Sequence, residues 1–357
     1  MLSEPGFRPV PNAGAIWWIV SPDGFSGTQS AAWPVYAEPD RARNCRLRPM
    51  SSRSGGDMKS RTTSSLTIDA FDARAVDIDT VELDQLYTLS IGVGWPHRPE
   101  DWQFLRDTGH GIVVHDEIGR VLGSAMWFPH GVDFATVGMV ITSPRLQALG
   151  TAQWLMKRIL SASGGRNLRL NATHAARKLY LSLGFRRERT VFQRQAEAQR
   201  FGDMPRPSEG GELRELGQKD LPAIAQLDAR AFGASRLDLI AALLRQSAGV
   251  GLYRRGRLEA FALCRPFGRG HVVGPVVASA DEDAIVVAAP HVAAHEGQFL
   301  RIDTHLADGE FCSFLARCGL AFFDTVTTMS LGGEFRDPNG RSGKIPVTYA
   351  LASQALG

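Results

Sequence analysis

The sequence predicts an α/β protein, made of a mixed sheet with covering helices that occurs twice in tandem. Three observations predict it. From Leu66, short β-like apolar runs alternate with runs of helical spacing in the order β-α-β-β-β-α-β-α-β over about 130 residues. The same order starts again near residue 212. Between the two passes lies "AEAQRFGDMPRPSEGG", a polar stretch rich in Pro and Gly. The halves therefore read as a diverged internal duplication. The divisions expected are an extension over residues 1–62, a first domain over 63–195, a linker over 196–211, a second domain over 212–335 and a tail over 336–357.

Each element has its own signal. "LTIDAF" alternates like a strand. "TVELDQLYTLSIGVGW" is apolar at helical spacing and stops where Gly and Pro end a helix. "GIVVHDEIGRVLGSAMWF" is a hairpin around a short turn, and "FATVGMVIT" is a further strand. In "TAQWLMKRIL", Ala152, Leu155, Met156, Ile159 and Leu160 share one helical face. "LRLNAT" is a strand, "HAARKLYLSLGF" a helix closed by Gly184, and "RERTVFQRQ" a strand. In the second pass, "LPAIAQLDARAFG" is a helix, "GVGLYRRGRLEAFALCRP" a hairpin and "GHVVGPVVA" a strand. "DEDAIVVAAPHVAA" is a helix, "QFLRIDTHL" a strand, "GEFCSFLARCGL" a helix and "FDTVTTMSL" a strand.

Composition narrows the function. The 357 residues carry 40 basic and 37 acidic side chains, too even a balance to suggest a nucleic-acid partner. No apolar run reaches the roughly 20 residues that span a bilayer. Four scattered cysteines and nine histidines show no zinc spacing, so reduced buried thiols, no metal and a cytoplasmic protein are expected. Residues 1–62 are rich in Pro, Ser, Gly and Arg and read as disordered, or as an extension upstream of a start at Met50 or Met58.

The stretch "PRLQALGTAQWLMKRIL" joins the strand "GMVIT" to a helix. The first turn of such a helix leaves backbone N–H groups unpaired at the positive end of its dipole, which suits an anion. Gly150 lets the chain turn and lets a phosphate approach closely. The pattern Gln147-x-x-Gly150-x-Ala152 resembles the pyrophosphate loop of the GNAT acetyltransferase superfamily. "RKLYLSLGF" resembles a helix element of the same family, and the element order over residues 66–195 is the family's. The whole chain resembles a bacterial two-domain subgroup whose second GNAT-like domain is degenerate. Here "SADEDAIVV" replaces the loop with three acidic residues and no Gly, so one coenzyme site is expected, in the first half.

The resemblance implies an N-acetyltransferase that moves acetyl from acetyl-CoA to the primary amine of a small molecule. It implies coenzyme binding by Arg145, Gln147, Ala148, Leu149, Gly150, Thr151 and Ala152, by Asn171, and by the strand residues Met139, Val140 and Ile141. A backbone N–H near Val140 would hold the oxyanion. Tyr180 is the expected general acid; it also lies on the helical face of Ala176, Leu179 and Leu183, where a core aromatic would lie. The family's usual strand-four carboxylate is missing at Gly138-Met139, which leaves the base open among His97, Asp101, His174 and water. "GWPHRPEDW" reads as a pocket wall, so Trp95, His97, Asp101 and Trp102 are expected at the acceptor site. Asp303 in "RIDTH" would join them at the domain interface, or pair structurally with Arg301. Two other readings stand beside this one: a protein lysine or N-terminal acetyltransferase, and a non-catalytic acyl-CoA sensor.

Overall fold

The computed structural model describes residues 65–68, 71–146, 150–333 and 345–357. The expectations for residues 1–62, including the start at Met50 or Met58, lie outside the described residues, as do those for Gln147, Ala148 and Leu149. Ser60–Gly357 forms one compact unit.

The first half runs β1 (Ser65–Ile68), β2 (Phe71–Asp77), α1 (Leu83–Ile91), α2 (Pro99–Thr108), β3 (His110–His115), β4 (Val121–His130), β5 (Phe134–Thr142), α3 (Thr151–Ala162), β6 (Asn167–Ala172), α4 (Arg177–Ser182) and β7 (Arg186–Glu197). The second half repeats the order that starts at β2. It runs β8 (Gly211–Glu215), α5 (Leu221–Phe232), α6 (Leu237–Gln246), β9 (Ala248–Arg254), β10 (Arg257–Phe267), β11 (Gly270–Ala278), α7 (Asp281–Ala294), β12 (Phe299–Thr304), α8 (Glu310–Arg317) and β13 (Phe322–Leu331). A last strand, β14 (Val347–Ala350), comes from the segment set apart above as a tail.

Two helices beyond the expected order, α2 and α6, complete the repeat. The first residues of α2 belong to "GWPHRPEDW", whose composition reads as a surface loop. Its start is fixed by Pro99 at the first helical position and by the Asp101 carboxylate, which accepts the Arg98 N–H at 2.9 Å. This carboxylate cap, with Pro99 beside it, outweighs the aromatic, proline-rich composition of the preceding residues.

The halves share one sheet, ordered β1-β2-β3-β4-β5-β6-β13-β7-β12-β11-β10-β9-β8. Their final strands are exchanged: β13 pairs with β6 of the first half, and β7 pairs with β12 of the second. The antiparallel β7–β13 pair sits at the centre. Neither half completes its sheet alone.

On one face, α3 and α4 pack over the first half through Leu155, Met156, Ile159 and Tyr180. Burying each aliphatic side chain contributes about 2 kcal/mol. On the other face, α1 and α2 meet α5 and α6 across Phe104, Met139, Leu227, Leu243 and Leu356. Cys264, Cys312 and Cys318 are free and buried.

Candidate active site

The first half opens a gap in its sheet. β5 and β6 run parallel and pair from Phe134–Asn167 to Val137–Leu170, where the pairing stops. Beyond it, β5 bulges against β4: the register jumps from Gly138–Met126 to Ile141–Ser124. Met139 takes a left-handed φ of 51°, and its carbonyl accepts the Ser124 hydroxyl at 2.7 Å. A bulge of this kind turns backbone groups out of the ladder. It lies at Met139, Val140 and Ile141, where the sequence placed backbone contacts to the coenzyme arm.

The same strand leads to α3. Gly150 precedes Thr151 at φ +78°, and a Cβ there would meet open space. Thr151 is fully buried with its Oγ1 unpaired, and so is the Oγ of Ser143 on the strand side of the loop. Buried hydroxyls without partners are uncommon in folded proteins. The unpaired N–H groups of the first helical turn add donors beside them. These groups fit an anionic ligand such as a pyrophosphate. The expectation for the Arg145 side chain lies outside what is described. Ala152 lies in the first turn of α3, partly buried.

Tyr180 lies on α4, on the same face of the sheet as α3. It is 5% exposed and packs edge-on to Phe185, and its hydroxyl has no hydrogen-bond partner among the described residues. Burial raises its hydroxyl pKa well above the usual value, so it stays protonated and can donate but not accept a proton at neutral pH.

The expected acceptor residues divide. Trp102 is fully buried, and its indole N–H donates to the Ser90 hydroxyl at 3.2 Å. It belongs to the core rather than to a pocket. Asp101 is also committed elsewhere. It accepts the Arg98 N–H, the Arg98 guanidinium and, from the second half, the Gly268 N–H at 2.9 Å. A mixed aromatic and charged segment looks like a pocket wall in sequence, but here it is a helix start tying the two halves together.

Burial pushes the Asp101 pKa up, but the Arg98 guanidinium and the two N–H groups outweigh it and hold the carboxyl below its usual value. The resulting stability is fully present above about pH 4 and is lost as pH falls through the lowered pKa. Asp101→Asn is expected to cost about 2 kcal/mol at neutral pH. In urea melts across pH, the gap between variant and wild type should shrink below pH 4. A gap independent of pH would remove the charge from this account.

Trp95 and His97 do stand at the junction of the halves. The His97 ring lies 6.0 Å from Trp95 and 5.4 Å edge-on to Phe267 of the second half. Its Nδ1 is buried and unpaired. Burial lowers its pKa to about 4, with Arg301 and Arg265 adding to the effect and Asp101 opposing it. The ring is therefore neutral at pH 7.

Asp303 is fully buried and accepts the Arg301 guanidinium at 2.9–3.0 Å and the Gln354 amide at 3.2 Å. The polar stripe of "RIDTH" is thus an ion pair, with His305 turned to the Thr190 carbonyl. Asn171 is occupied as well. Its amide donates to the Gln354 carbonyl at 2.8 Å, and its oxygen accepts the Thr328 hydroxyl at 2.7 Å. It holds the chain's last turn rather than presenting a free amide to a coenzyme.

That last turn is the feature the sequence reading missed. β14 pairs with β11, and the Leu351 N–H donates to the Asp303 carbonyl of β12. In the second half, then, the gap between β11 and β12 is filled by the chain's own strand. Residues 352–357 continue onto the first half, where Ala355 sits on Gly138. A Cβ at Gly138 would fall 2.6 Å from that of Ala355. This close approach leaves no room for a carboxylate at that position of β5. The small-residue run "ALASQALG" was the available signal, but nothing local gives its destination.

A family model described as an acetyltransferase (GNAT) domain matches residues 107–187, and a second model of the same description matches residues 224–342. The chain belongs to the GNAT acetyltransferase superfamily. It is a tandem GNAT protein, with one domain per half. Three solved structures share the fold. A proposed acetyltransferase from Pyrococcus horikoshii aligns with TM-score 0.65 at 17% identity, over 82% of this chain and 98% of its own. A tandem GNAT protein from the clavulanic acid biosynthesis pathway aligns with TM-score 0.52 at 14% identity, over 73% and 99%. A GCN5-related N-acetyltransferase from Sphaerobacter thermophilus aligns with TM-score 0.53 at 15% identity, over 74% and 96%. A search of curated proteins finds no match. Among the described residues, no helix is long and apolar enough to cross a membrane, and no group of His, Cys, Asp and Glu could hold a metal.

Proposed function

We propose that this GNAT protein is an N-acetyltransferase with one working site per chain, in the first half, acting on the primary amine of a small molecule. The observation that carries it is the asymmetry of the two gaps. The β5–β6 gap has the left-handed bulge at Met139 and leads to the Gly150 turn. The β11–β12 gap is filled by β14.

Acetyl-CoA would supply the activated acetyl group. The α3 turn at Gly150 and Thr151 would take its phosphates, and the bulge would take the arm and polarise the thioester carbonyl through a backbone N–H near Val140. Fixing the carbonyl there gives an incoming amine a short path of attack. The amine nitrogen bonds to the carbonyl carbon as the C–S bond breaks and gives up its proton to solvent water, while Tyr180, on the α3 side of the sheet, donates a proton to the departing thiolate and regains one from water. The acceptor approaches from the opposite face, toward Trp95 and His97 at the junction of the halves. That face is closed in by residues 352–357 and by α1, α2, α5 and α6. A covered site of this kind favours a small amine over a protein side chain.

The test is thiol release by the full chain with acetyl-CoA and a panel of small amines, run with Tyr180→Phe in parallel. The variant should turn over about 100-fold more slowly with unchanged acetyl-CoA affinity. Equal turnover removes Tyr180 as the acid. Binding of acetyl-CoA without turnover of any amine or peptide favours the sensor.

A further inference from the structure

A buried cation stands without its counter-charge on the acceptor face. Arg265 lies on β10, is 3% exposed, and interrupts the apolar run "FALCRPF". Its Nε is buried and unpaired. NH1 reaches only the Pro266 carbonyl at 3.5 Å, and NH2 only that of Ala352 at 3.3 Å. Both are long for a guanidinium, which forms charge-assisted bonds near 2.8 Å.

The neighbouring charges cancel in pairs. Asp101 is matched by Arg98, and Asp303 by Arg301. His97 is neutral at pH 7. One positive charge is left over, and it is Arg265. Its guanidinium is held between two rings, 5.4 Å from the centre of Phe104 and 5.0 Å from that of Phe267. A fixed guanidinium with an open donor edge is costly to bury unless an anion completes it.

Its place in the fold says which ligand would bring that anion. Phe104 and Ala352 belong to the face of α1, α2, α5 and α6, whereas α3 and Tyr180 lie on the opposite face. The coenzyme's phosphates are expected at α3, so they do not reach Arg265. The Ala352 carbonyl bound to Arg265 belongs to the same turn as Ala355, which touches Gly138 beside the bulge. Three residues of chain reach at most about 11 Å, and the bond from the Ala352 N–H to the Gly357 carbonyl folds this stretch back on itself, which puts Arg265 on the order of 10 Å from the bulge.

Resting on the acetyltransferase reading above, we propose that the acceptor amine carries a carboxylate and that Arg265 is its anchor. The carboxylate replaces the Ala352 carbonyl on the Nε–NH2 edge of the guanidinium, where two parallel bonds are available. The amine, several bonds away, then points to the bulge. The acceptor class is an amino acid with its amine and carboxylate well separated, and the Ala352 carbonyl occupies the anchor until it binds.

The experiment compares glycine, 4-aminobutyrate and 6-aminohexanoate with the matching alkylamines, on the full chain and on Arg265→Met and Arg265→Lys. Removing an odd buried cation in favour of an apolar side chain of similar size leaves the fold intact. With acetyl-CoA, wild type should prefer 4-aminobutyrate or 6-aminohexanoate over its alkylamine, and Arg265→Met should reduce that preference about 100-fold; a preference for glycine alone overturns the proposal. Arg265→Lys, which keeps the charge but not the fork, should fall between. A wild type that takes alkylamines as well as amino acids overturns the proposal, and so does an unchanged preference in Arg265→Met.

A second readout separates this proposal from the catalytic one. If no amine is turned over, thermal melts with the same compounds still decide. Protection by an amino acid but not its alkylamine, lost in Arg265→Met, supports the anchor although the acetyltransferase reading has failed. No such protection rejects the anchor.

Discussion

Arg236→Ala is expected to destabilise the protein by about 3–5 kcal/mol, the usual cost of removing one partner of a buried ion pair. Arg236 and Asp228 are both fully buried, joined at 2.7 and 3.0 Å, with the guanidinium over the Phe232 ring at 3.9 Å. The same guanidinium donates to the carbonyls of Leu356 and Gly357, at 3.1 and 2.6 Å. The substitution therefore strands a buried carboxylate and also releases the last turn from the face of α1, α2, α5 and α6. Urea unfolding measures the first effect. The double variant Asp228→Leu/Arg236→Met, which removes both charges, should recover most of the loss. A small cost for Arg236→Ala alone would mean that the pair contributes little to stability.

Gly150→Glu is expected to weaken acetyl-CoA binding at least about 100-fold, a loss of roughly 3 kcal/mol. Gly150 has φ +78°, so any side chain there is strained, but a Cβ meets open space. The strain costs about 1–2 kcal/mol, and a carboxylate at a helix N-terminus recovers part of it. The variant should therefore fold while its carboxylate competes with the phosphates for the same N–H groups. Calorimetric titration of the full chain with acetyl-CoA measures this, with Gly150→Asn as a control that tolerates the left-handed backbone. Wild-type affinity in Gly150→Glu would show that this turn does not hold the anion.

The two variants act on opposite faces of one sheet, and both faces had to be read together. Tyr180 illustrates the problem. Its helical spacing with Leu179 and Leu183 allowed a core residue or a general acid, and in the structure it is a buried core residue on the face where an acid would be needed. Trp102 and Asp101 went the other way. Their composition suggested a pocket, but the indole is in the core and the carboxylate caps α2. Aromatic and charged residues close together in sequence are compatible with both roles, and only their neighbours in space choose between them.

The sequence by itself determined the repeated strand–helix order apart from α2, α6 and β14, the amphipathic face of α3 and the Gly-turn at the start of that helix. Each of these is written in local periodicity or in the backbone freedom of one residue, and both are properties of neighbours along the chain. Only the tertiary structure decided that the halves exchange β7 and β13, that β14 fills the second gap, and that Arg265 is buried without a carboxylate. Those outcomes depend on pairings between residues such as Asn171 and Gln354, or Gly138 and Ala355, which lie about 200 positions apart. A strand's alternation says which side chains face inward but not which strand it will pair with. An arginine in an apolar run shows that a charge will be buried, and the assembled fold alone shows whether anything balances it.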